Sequence, residues 1–351
     1  MCLGTMQPKL ALTPTPIANE YAEFPDEGAQ KYPMELSECS VCGHVQQRFV
    51  IDCLFEDYKY ATPQTVTRHL VPSAQALKET YPNAKTVLEI GSNNGTYLKV
   101  LRELGFEATG IDPAATGEGN IREFFNLRWA EWYLREKGKF DLIVANNVFA
   151  HIDDLQDVFR GIDRIMKDDG ALVFEVQYFH ELVAAGTFDM LYFEHMDCHT
   201  LAPLSKFLRR MGMRMTHHEF IPTHGGSIRV TARKTGNEIS YWEAKTDWEK
   251  FAKKIESRKA SIIERLAGRK VVLLGAAAKV TTLIHHCGIA DNILYACDDT
   301  PQKQGLYIPG TSIQIKPTSE LGDHPALLGA WNYEAEFREK FPSTEFIHPF
   351  P

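Results

Sequence analysis

Between Val87 and Leu98 the chain reads V-L-E-I-G-S-N-N-G-T-Y-L: an apolar run, a stop on glycine, and a restart at helical spacing. Thr86–Ile90 reads as a strand. Thr96–Leu104 reads as a helix, with Leu98, Leu101 and Leu104 on one side and Gly105 as its stop. Gly91 turns where a side chain would collide, and Gly95 lets a ligand or the helix backbone come close. The pattern then repeats. Glu107–Ile111, Phe140–Ala145 and Ala171–Val176 read as further strands, and Asp154–Met166 as a helix stopped by Asp168-Asp169-Gly170. Arg214–Phe220 and Ser227–Ala232 read as strands too. Strands alternating with helices predict an α/β unit with a parallel sheet wrapped by helices.

The same punctuation restarts late in the chain. Val271–Leu274 is a strand, G-A-A-A-K (Gly275–Lys279) a turn, Val280–His286 a helix, and Ile293–Cys297 a strand ending in Asp298-Asp299. A helix over Thr246–Leu266 joins the two units. Residues 1–70 have weak periodicity and predict a small loop-rich module. The expected division is therefore 1–70, an α/β domain over 71–235, a linker over 236–268, and a smaller α/β domain over 269–351. At about 150 residues per domain, 351 residues agree with two main units.

Composition bounds the function classes. Lys plus Arg total 38 and Asp plus Glu 46, a net charge of −8 without a basic block, which argues against a nucleic-acid polymer as partner. No apolar run is long enough to span a membrane, and the N-terminus lacks the apolar core of a signal peptide. Seven cysteines without an export signal predict a reduced, cytoplasmic protein with thiols or a metal site.

The first glycine turn carries chemistry. The next strand ends at Asp112, 21 residues after Gly91, where an acidic group suits ribose hydroxyls. The loop is G-x-x-x-G rather than G-x-G-x-x-G, and Glu89 precedes it, which disfavours a pyrophosphate. A carboxylate is comfortable beside a cation. S-adenosylmethionine carries a sulfonium and an ammonium, and its own carboxylate suits the helix N-terminus. The candidate cofactor residues are Glu89, Gly91, Asn93, Gly95, Asp112 and Asn146.

Several motifs appear in order: T-P-T-P-I-A-N (Thr13–Asn19), C-S-V-C-G-H-V-Q (Cys39–Gln46), N-N-V-F-A-H-I-D-D-L (Asn146–Leu155), E-V-Q-Y (Glu175–Tyr178), L-Y-F-E-H-M-D (Leu191–Asp197) and H-G-G-S-I-R-V (His224–Val230). D-D-T-P-Q-K-Q-G-L-Y-I-P-G (Asp298–Gly310) and A-W-N-Y (Ala330–Tyr333) follow. Together with the cofactor loop, they resemble the zinc-containing, S-adenosylmethionine-dependent sugar C-methyltransferases, over nearly the whole chain. The resemblance implies a Rossmann-like methyltransferase domain, a small N-terminal zinc-binding module and a C-terminal Rossmann-like domain. It also implies methylation of a carbon beside the ketone of a keto-deoxysugar nucleotide.

Such chemistry needs a base for the α-proton and hydrogen-bond donors for the enolate oxygen. Tyr192, Glu194, His195 and His151 are available. Spacing leaves open which histidine takes the proton. The resemblance implies His195 as base, Tyr192 and His151 around the enolate oxygen, and Glu194 orienting a partner. Tyr58 and Tyr60 match a segment near the sugar, and Arg229 and Lys279 are candidate phosphate contacts. Structural zinc would take Cys39, Cys42 and Cys2, with Met1 read as an internal methionine of a knuckle that begins upstream. Two other readings stand beside this one. The first is a sugar O-methyltransferase. The second is a silent sugar-nucleotide-binding scaffold, against which Gly91, Gly95, Asp112 and His195 argue.

Overall fold

The computed structural model describes residues 4–49 and 64–351, with side chains from His69 onward in the second segment. Cys2, Tyr58 and Tyr60 lie outside the described residues. The chain opens with β1 (Met6–Thr15), β2 (Tyr32–Cys39) and β3 (Val45–Gln47), paired antiparallel in that order. The expectation of a loop-rich module is corrected here. Register shifts interrupt the β1–β2 ladder between Pro8 and Leu10 and between Leu12 and Thr15, so the alternation that marks a strand is broken in the sequence. Nor does this sheet stand alone. Leu12, Met34, Leu36 and Val45 share one apolar core with the C-terminal unit. The Tyr21 hydroxyl donates to the Ala276 carbonyl at 2.8 Å.

The first α/β unit follows as α1 (Gln64–Thr80), β4 (Thr86–Ile90), α2 (Thr96–Glu103), β5 (Glu107–Ile111), β6 (Asn120–Ile121), α3 (Leu127–Lys137), β7 (Phe140–Asn146), α4 (Leu155–Ile165) and β8 (Met166–Gln177). After α5 (Phe179–Ala185) and β9 (Asp197–Cys198) come α6 (Leu201–Arg210), β10 (Arg214–Ile221) and β11 (Ser227–Arg233). Seven strands form one sheet in the order β10-β11-β8-β7-β4-β5-β6. From β6 to β8 the pairs are parallel, whereas β11 and β10 run antiparallel. The expected parallel sheet is thus extended by an antiparallel pair. The loop between β10 and β11 is too short for a crossover, so that pair can only close as a hairpin. α1 crosses residue 70, and its Leu70, Ala74 and Leu77 pack with Val87, Leu101 and Val144 on one face of this sheet.

Helix α4 shows local sequence at work. Asp154 caps it by accepting from the Asp157 N–H, and Leu155, Val158, Phe159, Ile162 and Ile165 are buried along one face. The helix stops at Ile165, earlier than the acidic stop suggests. Met166 is already extended and pairs with Phe140, and a register shift beyond that pair takes Asp168-Asp169-Gly170 into β8.

The second unit contains α7 (Trp248–Leu266), β12 (Val271–Leu274), α8 (Val280–Cys287), β13 (Ile293–Cys297), β14 (Ile315–Lys316), β15 (Ala326–Leu328), α9 (Glu334–Lys340) and β16 (Phe346–Ile347). Its parallel sheet has the order β14-β13-β12-β15-β16. Each sheet therefore has a point where the chain leaves one strand in one direction and returns on its other side, at β4/β7 and at β12/β15. Ligands of open α/β sheets bind outside the strand carboxyl ends at such points. Among the described residues, no helix is long and apolar enough to cross a membrane.

Candidate active site

The carboxyl ends of both sheets open on one cleft of about 1420 Å³. At the end of β4, Glu89 is buried and its Oε2 has no hydrogen-bond partner among the described residues. Burial, reinforced by the nearby Asp112 charge, pushes its carboxyl up to about 8. An unpartnered buried carboxyl at a cleft wall fits a cationic ligand, whose charge would favour ionisation. Gly91 follows at φ 76°, and a Cβ there would lie 2.2 Å from Val148 Cγ2. Gly95, also at φ 76°, precedes α2.

Asp112 ends β5 and pins the loop. Its Oδ2 accepts from the Asn93 N–H at 3.0 Å and its Oδ1 from the Ala114 N–H at 2.7 Å. Burial raises its carboxyl against the effect of these bonds. Asn93 itself takes a left-handed backbone, φ 46°. Across the switch point, Asn146 ends β7 with its Nδ2 buried at the cleft wall and unpartnered among the described residues. The six candidate cofactor residues thus cluster around adjoining strand ends.

Deeper in the cleft, the Tyr192 hydroxyl donates to His195 Nε2 at 2.7 Å, and His195 Nδ1 faces the Met190 carbonyl at 3.0 Å. A carbonyl only accepts, so Nδ1 carries the hydrogen and Nε2 the lone pair. Burial, and then the neighbouring His151, hold this imidazole well below its usual range. The His151 ring lies 4.8 Å from that of His195, and its Nδ1 meets the Glu194 carbonyl. Burial lowers His151 to about 4. Its Nδ1–H is therefore spoken for, and its Nε2 is an acceptor. His151 is expected beside the enolate oxygen; in the neutral state only Tyr192 in this trio has a hydrogen to give there.

Glu194 does not orient an imidazole through its carboxylate. That group is fully buried and turned toward Asn19 of the N-terminal segment. Arg229 is also reassigned. Its Nε and Nη2 donate to Glu175 at 2.8 and 2.6 Å and its Nη1 to Glu219 at 2.6 Å, which engages the guanidinium with carboxylates rather than a phosphate. Burial alone would raise the Glu175 carboxyl, but His69 and Arg229 hold it low. Lys279 does face the cleft. Its Nζ donates to Asn332 Oδ1 at 2.9 Å, sits 3.7 Å above the Trp331 ring and lies 3.9 Å from Asp189. Burial lowers it to about 8 against the pull of Asp189.

Asn19, His69, Glu175 and His224 also line the cleft without having been singled out from the sequence. Three of them stand inside the quoted motifs, but nothing local distinguishes them from their neighbours. Cys39 and Cys42 flank a tight turn in which the Gly43 N–H donates to the Cys39 carbonyl. A Cβ on Gly4 would lie 2.5 Å from Cys39 Sγ, so the N-terminal chain runs against this knuckle. Among the described residues, no group of three or more histidine, cysteine or acidic side chains could hold a metal.

The chain is similar to known methyltransferases. Residues 61–218 match a family model described as a methyltransferase domain, and residues 222–351 one described as a C-methyltransferase C-terminal domain. The C-methyltransferase NovU of Streptomyces niveus is 28% identical over 384 aligned residues, spanning 96% of this chain and 91% of that protein. An O-methyltransferase family protein from Burkholderia thailandensis is 17% identical, covers 50% of this chain and 59% of its own, and has a TM-score of 0.36. The 1,6-didemethyltoxoflavin-N1-methyltransferase of the same organism, solved with S-adenosylhomocysteine, is 15% identical over 55% of this chain and 96% of its own, with a TM-score of 0.35.

Proposed function

Starting from a chain that is an S-adenosylmethionine-dependent C-methyltransferase, we propose that it methylates the carbon beside the ketone of a keto-deoxysugar nucleotide, through an enolate. The observation that carries this reading is the Tyr192–His195 pair, set in a cleft that runs from the Glu89 loop to Lys279. A carbon nucleophile requires prior loss of its proton. His195 is neutral, with its lone pair on Nε2, and so is equipped to take one. In this proposal substrate displaces the Tyr192 hydroxyl from Nε2. His195 then accepts the α-proton while the C–H electron pair moves into the enolate. Tyr192 donates to the enolate oxygen, the one hydrogen available for it in this trio. His151 accepts from a substrate hydroxyl. A positioned base supplies about 10²–10⁴-fold.

Bound S-adenosylmethionine supplies the electrophilic methyl. Glu89 would face its cationic end, Gly91 and Gly95 would admit it beside the backbone, Asn93 and Asn146 would hold it from the strand ends, and Asp112 would suit the ribose. Lys279 faces the anionic nucleotide end of the substrate. An N-terminal module ending before α1, a methyltransferase domain from α1 to about residue 235, a C-terminal domain that includes α7, a cytoplasmic setting and a structural zinc on Cys39, Cys42 and Cys2 complete the proposal. Two thiols on a tight turn with Gly4 alongside support the zinc site.

Incubation with methyl-¹³C-labelled S-adenosylmethionine and a panel of nucleoside diphosphate keto-deoxyhexoses tests it. Carbon-bound methyl is expected in the NMR spectrum of the product, and with the methyl donor left out solvent deuterium should wash into the substrate at that same carbon. An O-methyl product would overturn the reading.

A further inference from the structure

The loop between β10 and β11 projects a third imidazole into the cleft. His224 holds a left-handed backbone, φ 51° and ψ 32°, which side chains other than glycine rarely adopt. The reason lies in its neighbours. A Cβ on Gly225 would lie 2.5 Å from Trp331 Cη2, and one on Gly226 would lie 2.7 Å from Glu181 Cβ. The loop is thus clamped between α5 and the C-terminal unit. The Tyr178 N–H to Gly226 carbonyl bond (3.1 Å) and the Ser227 hydroxyl to Thr223 carbonyl bond (2.9 Å) fix its two ends. Unfavourable backbone that the surroundings impose at a cleft wall is characteristic of residues that touch ligands.

The His224 ring lines the cleft. Burial, and then the charge of Lys279, hold it down to about 4. It is within electrostatic reach of Lys279, His151 and His195. A neutral imidazole offers one donor and one acceptor. That pairing matches a hydroxyl, which accepts and donates at once; a phosphate only accepts and is better met by Lys279.

We infer that His224 is a specificity-determining residue whose imidazole hydrogen-bonds a hydroxyl of the acceptor sugar, in the part of the cleft shared by Lys279 and the two imidazoles. The inference rests on the keto-sugar reading above. A site built around such a bond rejects analogues that lack the partner group.

The test uses His224→Gly, which keeps the left-handed backbone without strain, and His224→Asn, which tolerates it and offers a short amide. With the best keto-sugar nucleotide of the panel, KM should rise about tenfold in the glycine variant and less in the asparagine variant. The dissociation constant of S-adenosylmethionine and the melting temperature should hold. Among analogues each lacking one free sugar hydroxyl, wild type should disfavour one, and His224→Gly should accept that analogue and the parent nearly equally. An unchanged KM, or discrimination retained in His224→Gly, overturns the assignment. If wild type methylates no member of the panel, the keto-sugar reading falls and this inference with it.

Discussion

Glu194 Oε1 takes two hydrogen bonds from Asn19, one from its backbone N–H and one from its side-chain amide, both at 2.8 Å. The same stretch is tied to the N-terminal sheet elsewhere: the Gln47 N–H donates to the Met196 carbonyl at 2.8 Å, His44 pairs with Asp197, and β3 pairs with β9. The N-terminal strands are thus the frame on which Tyr192 and His195 are mounted.

Removing that anchor has a predictable consequence. Glu194→Ala leaves the half-buried Asn19 N–H without its acceptor and should destabilise the fold by about 1 kcal/mol. Glu194→Gln keeps an acceptor oxygen and should be milder. Burial raises the Glu194 carboxyl to about 7 in the folded chain. Its contribution to stability is therefore full below about pH 4.5, the usual range for glutamate, and is lost as pH rises through about 7. Urea midpoints should show the glutamine variant gaining on wild type between pH 5 and pH 8; parallel curves would contradict this.

The phenol and imidazole make separable predictions. His195→Ala should abolish both methylation and deuterium wash-in while S-adenosylmethionine binds as before. Tyr192→Phe keeps the base and loses the donor, so wash-in and turnover should fall by about 10²-fold, in line with loss of an oxyanion donor. Because burial holds His195 below the usual imidazole range, the base stays unprotonated as pH falls through 6.5. Turnover limited by this group should decline only at lower pH. A pH–rate profile breaking at or above 6.5 would point to another base.

Cofactor binding should release a proton. Glu89, raised to about 8, is mostly protonated at pH 7 in the empty cleft, and a bound cation favours its carboxylate. Affinity for S-adenosylmethionine should rise with pH and level off above about 8. Calorimetry in buffers of different ionisation enthalpy should show proton release at pH 7. Glu89→Gln should bind more weakly, with a flat pH dependence.

Metal analysis checks the Cys39–Cys42 turn. About one zinc per chain is expected, lost in Cys39→Ser and Cys42→Ser with a fall in melting temperature. A fully folded wild type free of zinc would remove the metal from the account.

Much of the first α/β unit is legible from local pattern. Thr86–Ile90 forms the strand its apolar run predicts, and Gly91 and Gly95 sit at positive φ where the motif needs them. These features depend on residues a few positions apart, whose conformational preferences act without the rest of the fold. The N-terminal strands escaped detection because bulges break their alternation and their apolar side chains wait for a partner far along the chain. The roles inside the cleft were decided the same way. Asn19 and Glu194 are 175 positions apart, Arg229 and Glu175 are 54 apart, and His151 and Glu194 are 43 apart. Residue type and the resemblance offered a phosphate-binding arginine, an orienting glutamate and a histidine near the enolate oxygen. Which atom faces which is fixed only when distant segments pack, because a hydrogen-bond role belongs to a pair of groups and sequence supplies them one at a time.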